Sequence, residues 1–310
     1  MSYEPSGTDL HDLTAQDAPP PADLSYASYF DDPVKRRFIR AVERLSGQPK
    51  LRKLYEHYRA HLANDVPFFE AAVRLLDLDV RFSASRLADI PREGPLVVVA
   101  NHPFGVLDGL IICWLISLRR TDFRVLTNSA LDGVPEARDY LLRVDFSGTR
   151  EALAANVAMR KAALDHIKAG SCIIVFPSGG VATTPRPFDR TAVDDEWKPF
   201  TAKLITHGNA SVTPIYFDGQ NSRLFQVASH LSLELRLALV FREVRRRMGK
   251  SLRVEIGETL APDVLATAGK RRGLMEFLRE RTYELAGPDQ HARLVRAGER
   301  FQQRKPLVYR

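Results

Sequence analysis

The sequence predicts an α/β fold, a mainly parallel sheet flanked by helices, and three observations carry that expectation. The run 96–100 is continuously apolar and β-branched, the pattern of a strand covered on both faces, and similar, mostly apolar runs recur at 123–126, 172–176, 212–217 and 252–256. Helical stretches such as 150–168 and 233–247 separate them, so strand and helix alternate. The composition is that of a globular protein: 310 residues, 45% hydrophobic, 27% charged, mean hydropathy −0.22. That excludes a fibrous, collagenous or wholly disordered chain, and the length suffices to bury a core without disulfide or metal staples.

Along the chain, residues 1–31 carry Pro5, Pro19, Pro20 and Pro21 among Ser, Ala and Asp and read as a disordered acidic tail. The first helical pattern starts at Asp32-Pro33, an N-cap followed by proline at the first helical position, with Phe38, Ile39, Val42 and Leu45 as its apolar face. Residues 32–79 form an N-terminal helical segment with a third helix at 67–76. Gly94-Pro95 then marks the change to strand, and the main domain spans 80–260. Residues 261–310 read as a charged helical extension.

The net charge of +7 averages two opposed parts. Residues 1–34 hold seven acids and no Lys or Arg, so they carry −7 and the remainder +14. From Lys35 to Arg59 the local balance is +7, which reads either as the solvated face of a helical hairpin or as an amphipathic membrane-docking element. A second basic cluster, Arg242, Arg245, Arg246, Arg247, Lys250 and Arg253, reads as a solvated helix end or as a face for anionic lipid or an acidic carrier. A basic body of this size points to nucleic acid or to a membrane surface. No zinc-finger, aromatic RNA-binding or recognition-helix pattern is present, so no nucleic-acid partner is expected.

Cys113 and Cys172 both lie in apolar runs, and no CxxC or Cys/His cluster accompanies them; this is a reduced, cytoplasmic pattern with no metal site. The N-terminus has no basic or apolar signal region, and the apolar stretch 110–118 is far shorter than the roughly 20 residues needed to span a bilayer. Membrane contact is therefore expected to be peripheral, on the inner face of the cytoplasmic membrane.

The chemistry-bearing stretch is Asn101-His102-Pro103-Phe104-Gly105-Val106-Leu107-Asp108-Gly109, at the end of the first buried strand and the start of the next helix. In an open α/β sheet that edge binds ligands. Asp108, in the first turn, points back towards His102, and an imidazole with a carboxylate behind it is a general base. A second stretch, Phe176-Pro177-Ser178-Gly179-Gly180-Val181, closes another strand at the same edge. Ser178 lacks the Gly-x-Ser-x-Gly elbow of a hydrolase nucleophile, and no Lys-Ser/Thr follows Gly179-Gly180, which excludes a P-loop. His166 and His207 read as partly exposed helix residues. The Trp197-Lys198-Pro199-Phe200 stretch reads either as surface packing or as the entrance for an acyl chain.

Together, NHPFGVLDG and FPSGG resemble the lysophospholipid and glycerolipid acyltransferase superfamily, the group of the 1-acylglycerol-3-phosphate acyltransferases, and within it a hemolysin-like bacterial branch. Val212-Thr213-Pro214-Ile215 and Gly219-Gln220-Asn221-Ser222-Arg223-Leu224-Phe225 fit the same resemblance, which covers residues 80–260. The resemblance implies acyl transfer without a covalent enzyme intermediate and without a cofactor. His102 would deprotonate a lyso-lipid acceptor that attacks an acyl-ACP or acyl-CoA thioester, Asp108 would orient His102, and loop amides would hold the oxyanion. It also implies a substrate-binding set of Asn101, Gly105, Gly109, Phe176, Pro177, Ser178, Gly179 and Gly180.

The chain departs from the family pattern at three points. Five residues instead of four separate His102 from Asp108. Phe146 stands where the second block commonly has Arg, and Ser178 and Val181 stand for the Glu and Arg of the third. With both acceptor-phosphate arginines missing, the acceptor is expected to lack a phosphate, as an ornithine-type lyso-lipid does, or to have it held by Arg150, Arg186 or Lys198. Two other readings remain: a catalytically silent protein that binds lipid or acyl carrier, and an amide-forming N-acyltransferase.

Overall fold

The structure, a computed structural model, describes residues 25–27, 32–127, 134–145 and 149–303. Two N-terminal helices, α1 (Pro33–Ser46) and α2 (Gln48–His61), form a hairpin whose break falls at Gly47, with φ of +111°. Asp32 caps α1 by accepting the Val34 and Lys35 N–H groups. The helix α3 (Phe68–Leu75) then leads to the short strand β1 (Asp79–Arg81) and to α4 (Ala84–Ala88).

The body follows as β2 (Leu96–Ala100), α5 (Val106–Ser117), β3 (Phe123–Thr127), a 3₁₀ turn at Pro135–Tyr140, β4 (Leu141–Arg143), α6 (Arg150–Lys168), β5 (Cys172–Val175), α7 (Phe200–Gly208) and β6 (Ser211–Phe217). After it come α8 (Arg223–Leu231), α9 (Leu233–Ala238), α10 (Val240–Arg247), β7 (Ser251–Ile256), α11 (Pro262–Thr267), α12 (Arg271–Glu284) and α13 (Pro288–Gln302). The seven strands pair in the order β1-β7-β6-β2-β5-β3-β4, all parallel except β6 with β7. The expected mainly parallel α/β sheet is therefore present.

All five residues of β2 are buried, with Val97 and Val99 on one face and Leu96, Val98 and Ala100 on the other. One core layer combines α3, α5 and α2; the other combines α6, α7 and α12. Because Leu274, Met275 and Leu278 of α12 sit in the second layer, the C-terminal helices are part of the body rather than an appendage.

Four expectations differ from the structure. Of the apolar face assigned to α1, Ile39 is buried and Val42 partly so, but Phe38 and Leu45 are 47% and 84% exposed, beside Val34 at 71%. At 100° per residue, positions 34, 38 and 45 make one stripe and 39, 43 and 46 another. The inward stripe includes the buried Glu43, which accepts the Ser25 hydroxyl and the Tyr26 N–H at 2.7 Å each. Of the expected disordered tail, residues 25–27 are thus docked, with Tyr26 against Phe241 at 5.6 Å, while 1–24 and 28–31 lie outside the described residues. The helix expected at 233–247 divides at Leu239 into α9 and α10. In the basic cluster, Arg242 and Arg246 flank buried Glu243, which holds the Ser222 N-cap of α8. Those arginines neutralise a buried carboxylate.

Candidate active site

The carboxyl ends of β2, β5 and β6 lie side by side at the middle of the sheet, and the loops that leave them meet there. Asn101 fastens the first of these ends: its Nδ2 donates to Phe217 O at 3.0 Å and its Oδ1 accepts Phe217 N–H at 2.7 Å. Both sides of the amide are occupied by backbone, so Asn101 ties β2 to β6. His102 follows on this fixed point.

Gly105 turns the chain into α5 with φ of +78° and ψ of −115°, a conformation open to glycine. A Cβ there would also lie 3.1 Å from the Val181 side chain. The turn sets Asp108 at the third helical position, where Oδ2 accepts the N–H groups of Phe104 and Gly105 at 2.8 and 2.9 Å. The same oxygen lies 3.0 Å from His102 Nδ1. Nδ1 is buried, and its contact with the carboxylate is close without meeting hydrogen-bond geometry. Burial raises the Asp108 pKa above its usual range, against the opposing pull of His102 and the two amides. The His102 ring also stacks on Phe176, with centroids 4.1 Å apart at 28°. With Nδ1 turned to the carboxylate, Nε2 is the nitrogen left for chemistry.

The loop after β5 clasps the backbone of His102. Ala182 N–H donates to His102 O at 2.8 Å, and His102 N–H donates to Asp194 Oδ1 at 3.1 Å. Asp194 was not evident from the sequence, where Asp194-Asp195-Glu196 has the look of a solvated turn. It is buried; its Oδ2 accepts the Trp197 indole N–H at 3.0 Å, and its own N–H donates to Tyr283 Oη at 2.9 Å. Trp197 is therefore a buried residue that holds Asp194 rather than surface packing, and it also borders the larger cavity described below.

Burial pushes the Asp194 pKa up from 3.8 to about 6, against hydrogen bonds from Trp197 and His102. A folded-state pKa above the unfolded value means that ionisation costs stability between the two. Relative to Asp194→Asn, the wild type is expected to lose up to about 3 kcal/mol as pH rises from about 4 to about 6, and nothing further above that. Urea unfolding of both proteins at pH 4.5 and pH 7 measures this; a constant difference would mean that Asp194 titrates as an ordinary carboxylate.

Two cavities adjoin this centre. One, of about 900 Å³, is lined by Ser178, Gly179, Gly180, Asp194 and Lys198 together with residues of α9, α12 and α13. The other, about 110 Å³ and apolar, lies between Val106 and Leu110 of α5 and residues of α2, α3 and α10. Ser178 points inward, its hydroxyl bonded to Gly180 O at 2.9 Å, and Lys198 N–H donates to Pro177 O at 2.8 Å. Gly109 lies within α5 with open space where a Cβ would go. Arg150 is the first residue of α6, beyond edge strand β4 and three strand spacings from β2, about 14 Å at the usual separation. Arg186 is exposed in a loop. Neither arginine lines either cavity. Phe146, at the second-block position, lies outside the described residues. His166 Nε2 donates to Asp122 O at 2.9 Å, and His207 is exposed on α7. Among the described residues no group of His, Cys, Asp and Glu is arranged to hold a metal.

A family model described as acyltransferase matches residues 59–289. A lyso-glycine lipid O-acyltransferase of Phocaeicola vulgatus is 24% identical over 229 residues, 71% of this chain and 78% of that protein. The lyso-glycine lipid O-acyltransferase of Bacteroides thetaiotaomicron is also 24% identical, over 71% of this chain and 80% of its own length. The crystal structure of the 1-acyl-sn-glycerophosphate acyltransferase from Thermotoga maritima superposes with a TM-score of 0.46 at 17% identity, covering 90% of this chain and 87% of that one.

Proposed function

The chain belongs to the acyltransferase family, within the lysophospholipid and glycerolipid acyltransferase superfamily that its motifs resemble; from that premise we propose that it transfers a fatty acyl group from an acyl-ACP or acyl-CoA thioester to the hydroxyl of a lyso-lipid. The observation that carries this reading is His102 at the strand edge, partly exposed, with Asp108 at 3.0 Å behind Nδ1, which leaves Nε2 as the nitrogen for proton transfer.

In the proposed step, Nε2 takes the hydroxyl proton as the acceptor oxygen attacks the thioester carbonyl. Asp108 stabilises the imidazolium so formed. Collapse of the tetrahedral intermediate breaks the carbon–sulfur bond, and the departing thiolate takes the proton from His102. An ester and a free thiol result, and the enzyme returns to its starting state with no metal or cofactor used. The apolar cavity beside Val106 and Leu110, about 110 Å³ with an aliphatic and aromatic lining, suits one segment of the acyl chain.

The acceptor is proposed to be a lyso-aminolipid, whether glycine or ornithine type, rather than lysophosphatidic acid. Val181 and Ser178 in place of the third-block Arg and Glu support this, as does the activity for which both relatives are named. Those relatives are named for O-acylation, which favours ester over amide formation. The test is direct: purified protein with acyl-ACP or acyl-CoA is offered lyso-glycine lipid, lyso-ornithine lipid and lysophosphatidic acid, and products are read by mass spectrometry. Transfer to an aminolipid acceptor is the expected result. Transfer to none of the three would sink the reading in favour of a silent binding protein.

No described helix is long and apolar enough to cross a membrane. The proposed contact with anionic lipid is peripheral and uses the outward stripe of α1, Val34, Phe38 and Leu45, beside the exposed Arg37, Arg40 and Arg44. Changing Phe38 and Leu45 together to Ser is expected to reduce sedimentation with anionic vesicles by about tenfold or more, at ~1.5–3 kcal/mol for each large apolar side chain withdrawn. Unchanged sedimentation would remove α1 from the contact.

A further inference from the structure

Two arginines that the sequence reading did not single out enter the larger cavity from separate elements. Arg236 of α9 reaches over the Gly179–Gly180 turn, with Nη2 donating to Val181 O at 2.6 Å and lying 3.8 Å from where a Gly180 Cβ would be. Arg279 of α12 comes from the other side; its Cζ sits 4.7 Å from the centre of the Tyr283 ring, and its buried Nε has no hydrogen-bond acceptor. Both guanidinium groups are held near fixed backbone, so they present donors with little freedom left to lose.

The cavity opens beside the proposed catalytic centre. Its wall includes Ser178, two residues from the Phe176 ring that stacks on His102, and Asp194, which accepts the His102 N–H. Its lining mixes apolar and charged side chains, whereas the smaller cavity proposed for the acyl chain is almost wholly apolar. Five acidic and four basic side chains line it. Such a balance disfavours a dianionic phosphate and suits a group with one negative charge, alone or with a nearby ammonium. A buried guanidinium nitrogen without an acceptor is costly unless a ligand supplies one.

We propose that this cavity binds the headgroup carboxylate of an amino-acid lyso-lipid, with Arg236 and Arg279 as the residues that hold it. The proposal rests on the acyltransferase reading for the name of the ligand, yet it can be measured without acyl transfer. Full-length protein is titrated with N-octanoylglycine, its methyl ester and octyl phosphate, followed by calorimetry. The acid is expected to bind at least tenfold more tightly than the ester and more tightly than the phosphate.

Arg236→Gln and Arg279→Gln are each expected to weaken binding of the acid about 10- to 100-fold, the scale of a lost charge-assisted bond, and to leave the ester unchanged. Thermal unfolding checks that both variants fold, and the acid-to-ester comparison on the wild type stands even if one does not. Equal binding of acid and ester, preference for octyl phosphate, no binding of any probe, or variants that bind as the wild type would each overturn the proposal. Competition by coenzyme A would assign the anion site to the donor and overturn it likewise. If the acid binds as expected while no acyl transfer occurs, the catalytic reading falls and the headgroup site stands.

Discussion

Replacing His102 with alanine is expected to lower the rate of acyl transfer about 10²- to 10⁴-fold while the protein stays folded, the range typical for removal of a general base. The ring, 17% exposed, contacts Phe176 on one face and Asp108 at its Nδ1 edge, so truncation leaves a small cavity, but one at the sheet edge outside both core layers. The backbone clasp is untouched, because Ala182 and Asp194 bond to the His102 main chain. Rate and thermal midpoint should therefore part company: the rate collapses, and the midpoint moves by a few degrees at most. A variant that kept more than a tenth of the wild-type rate under saturating substrates would remove His102 from the proton transfer. The silent-binder reading predicts that outcome, with lipid binding unaffected.

The second large effect is expected for Asp108→Asn, and here activity and stability move apart even more clearly. One oxygen of Asp108 serves the Phe104 N–H, the Gly105 N–H and His102 Nδ1. An asparagine oxygen can still accept from the two amides, which keeps the turn. It is no longer an anion, so it neither fixes the histidine tautomer nor stabilises the imidazolium, and a rate loss of about 10²- to 10⁴-fold follows. Burial makes the ionised carboxylate costly, as its raised pKa records. Folded-state pKa above unfolded means that this cost is absent at low pH and complete above the folded value. At pH 8 the Asn variant is accordingly expected to unfold at the same urea concentration as the wild type or a higher one. Asp108→Ala instead strands two buried amides at about 1–3 kcal/mol each. If Asp108→Asn retained full activity, the carboxylate would be a turn-former only.

Much of this arrangement was legible in the sequence where burial is two-sided. β2 and β5 are unbroken apolar runs, and β6 is buried on both faces from Val212 onward with Thr213 as its one polar side chain there, so their position could be read, and with them the edge that holds His102 and Phe176. β1 and β4 could not be found this way. Each has three residues, ends on an arginine and pairs at a sheet margin, which leaves no periodic signal. The outward stripe of α1 was misassigned for a related reason: an amphipathic pattern gives two apolar directions when an acid such as Glu43 is turned inward to hold a distant segment. Asp194, Arg236 and Arg279 escaped notice because a charged residue in a loop or on a helix reads as solvated until a fold sets another element over it.

The turn at Gly105 also bears on how relatives of this protein are recognised. The extra residue between His102 and Asp108 is taken up before the helix starts, at a backbone angle suited to glycine, so the helix begins with Asp108 at its third position. The chemistry depends on the path from strand end to first helical turn, and residue count is only its usual proxy. A search pattern written as histidine, four residues, aspartate would pass over this chain. One that allows a fifth residue, provided a glycine precedes the helix, would gather sequences built on the same geometry.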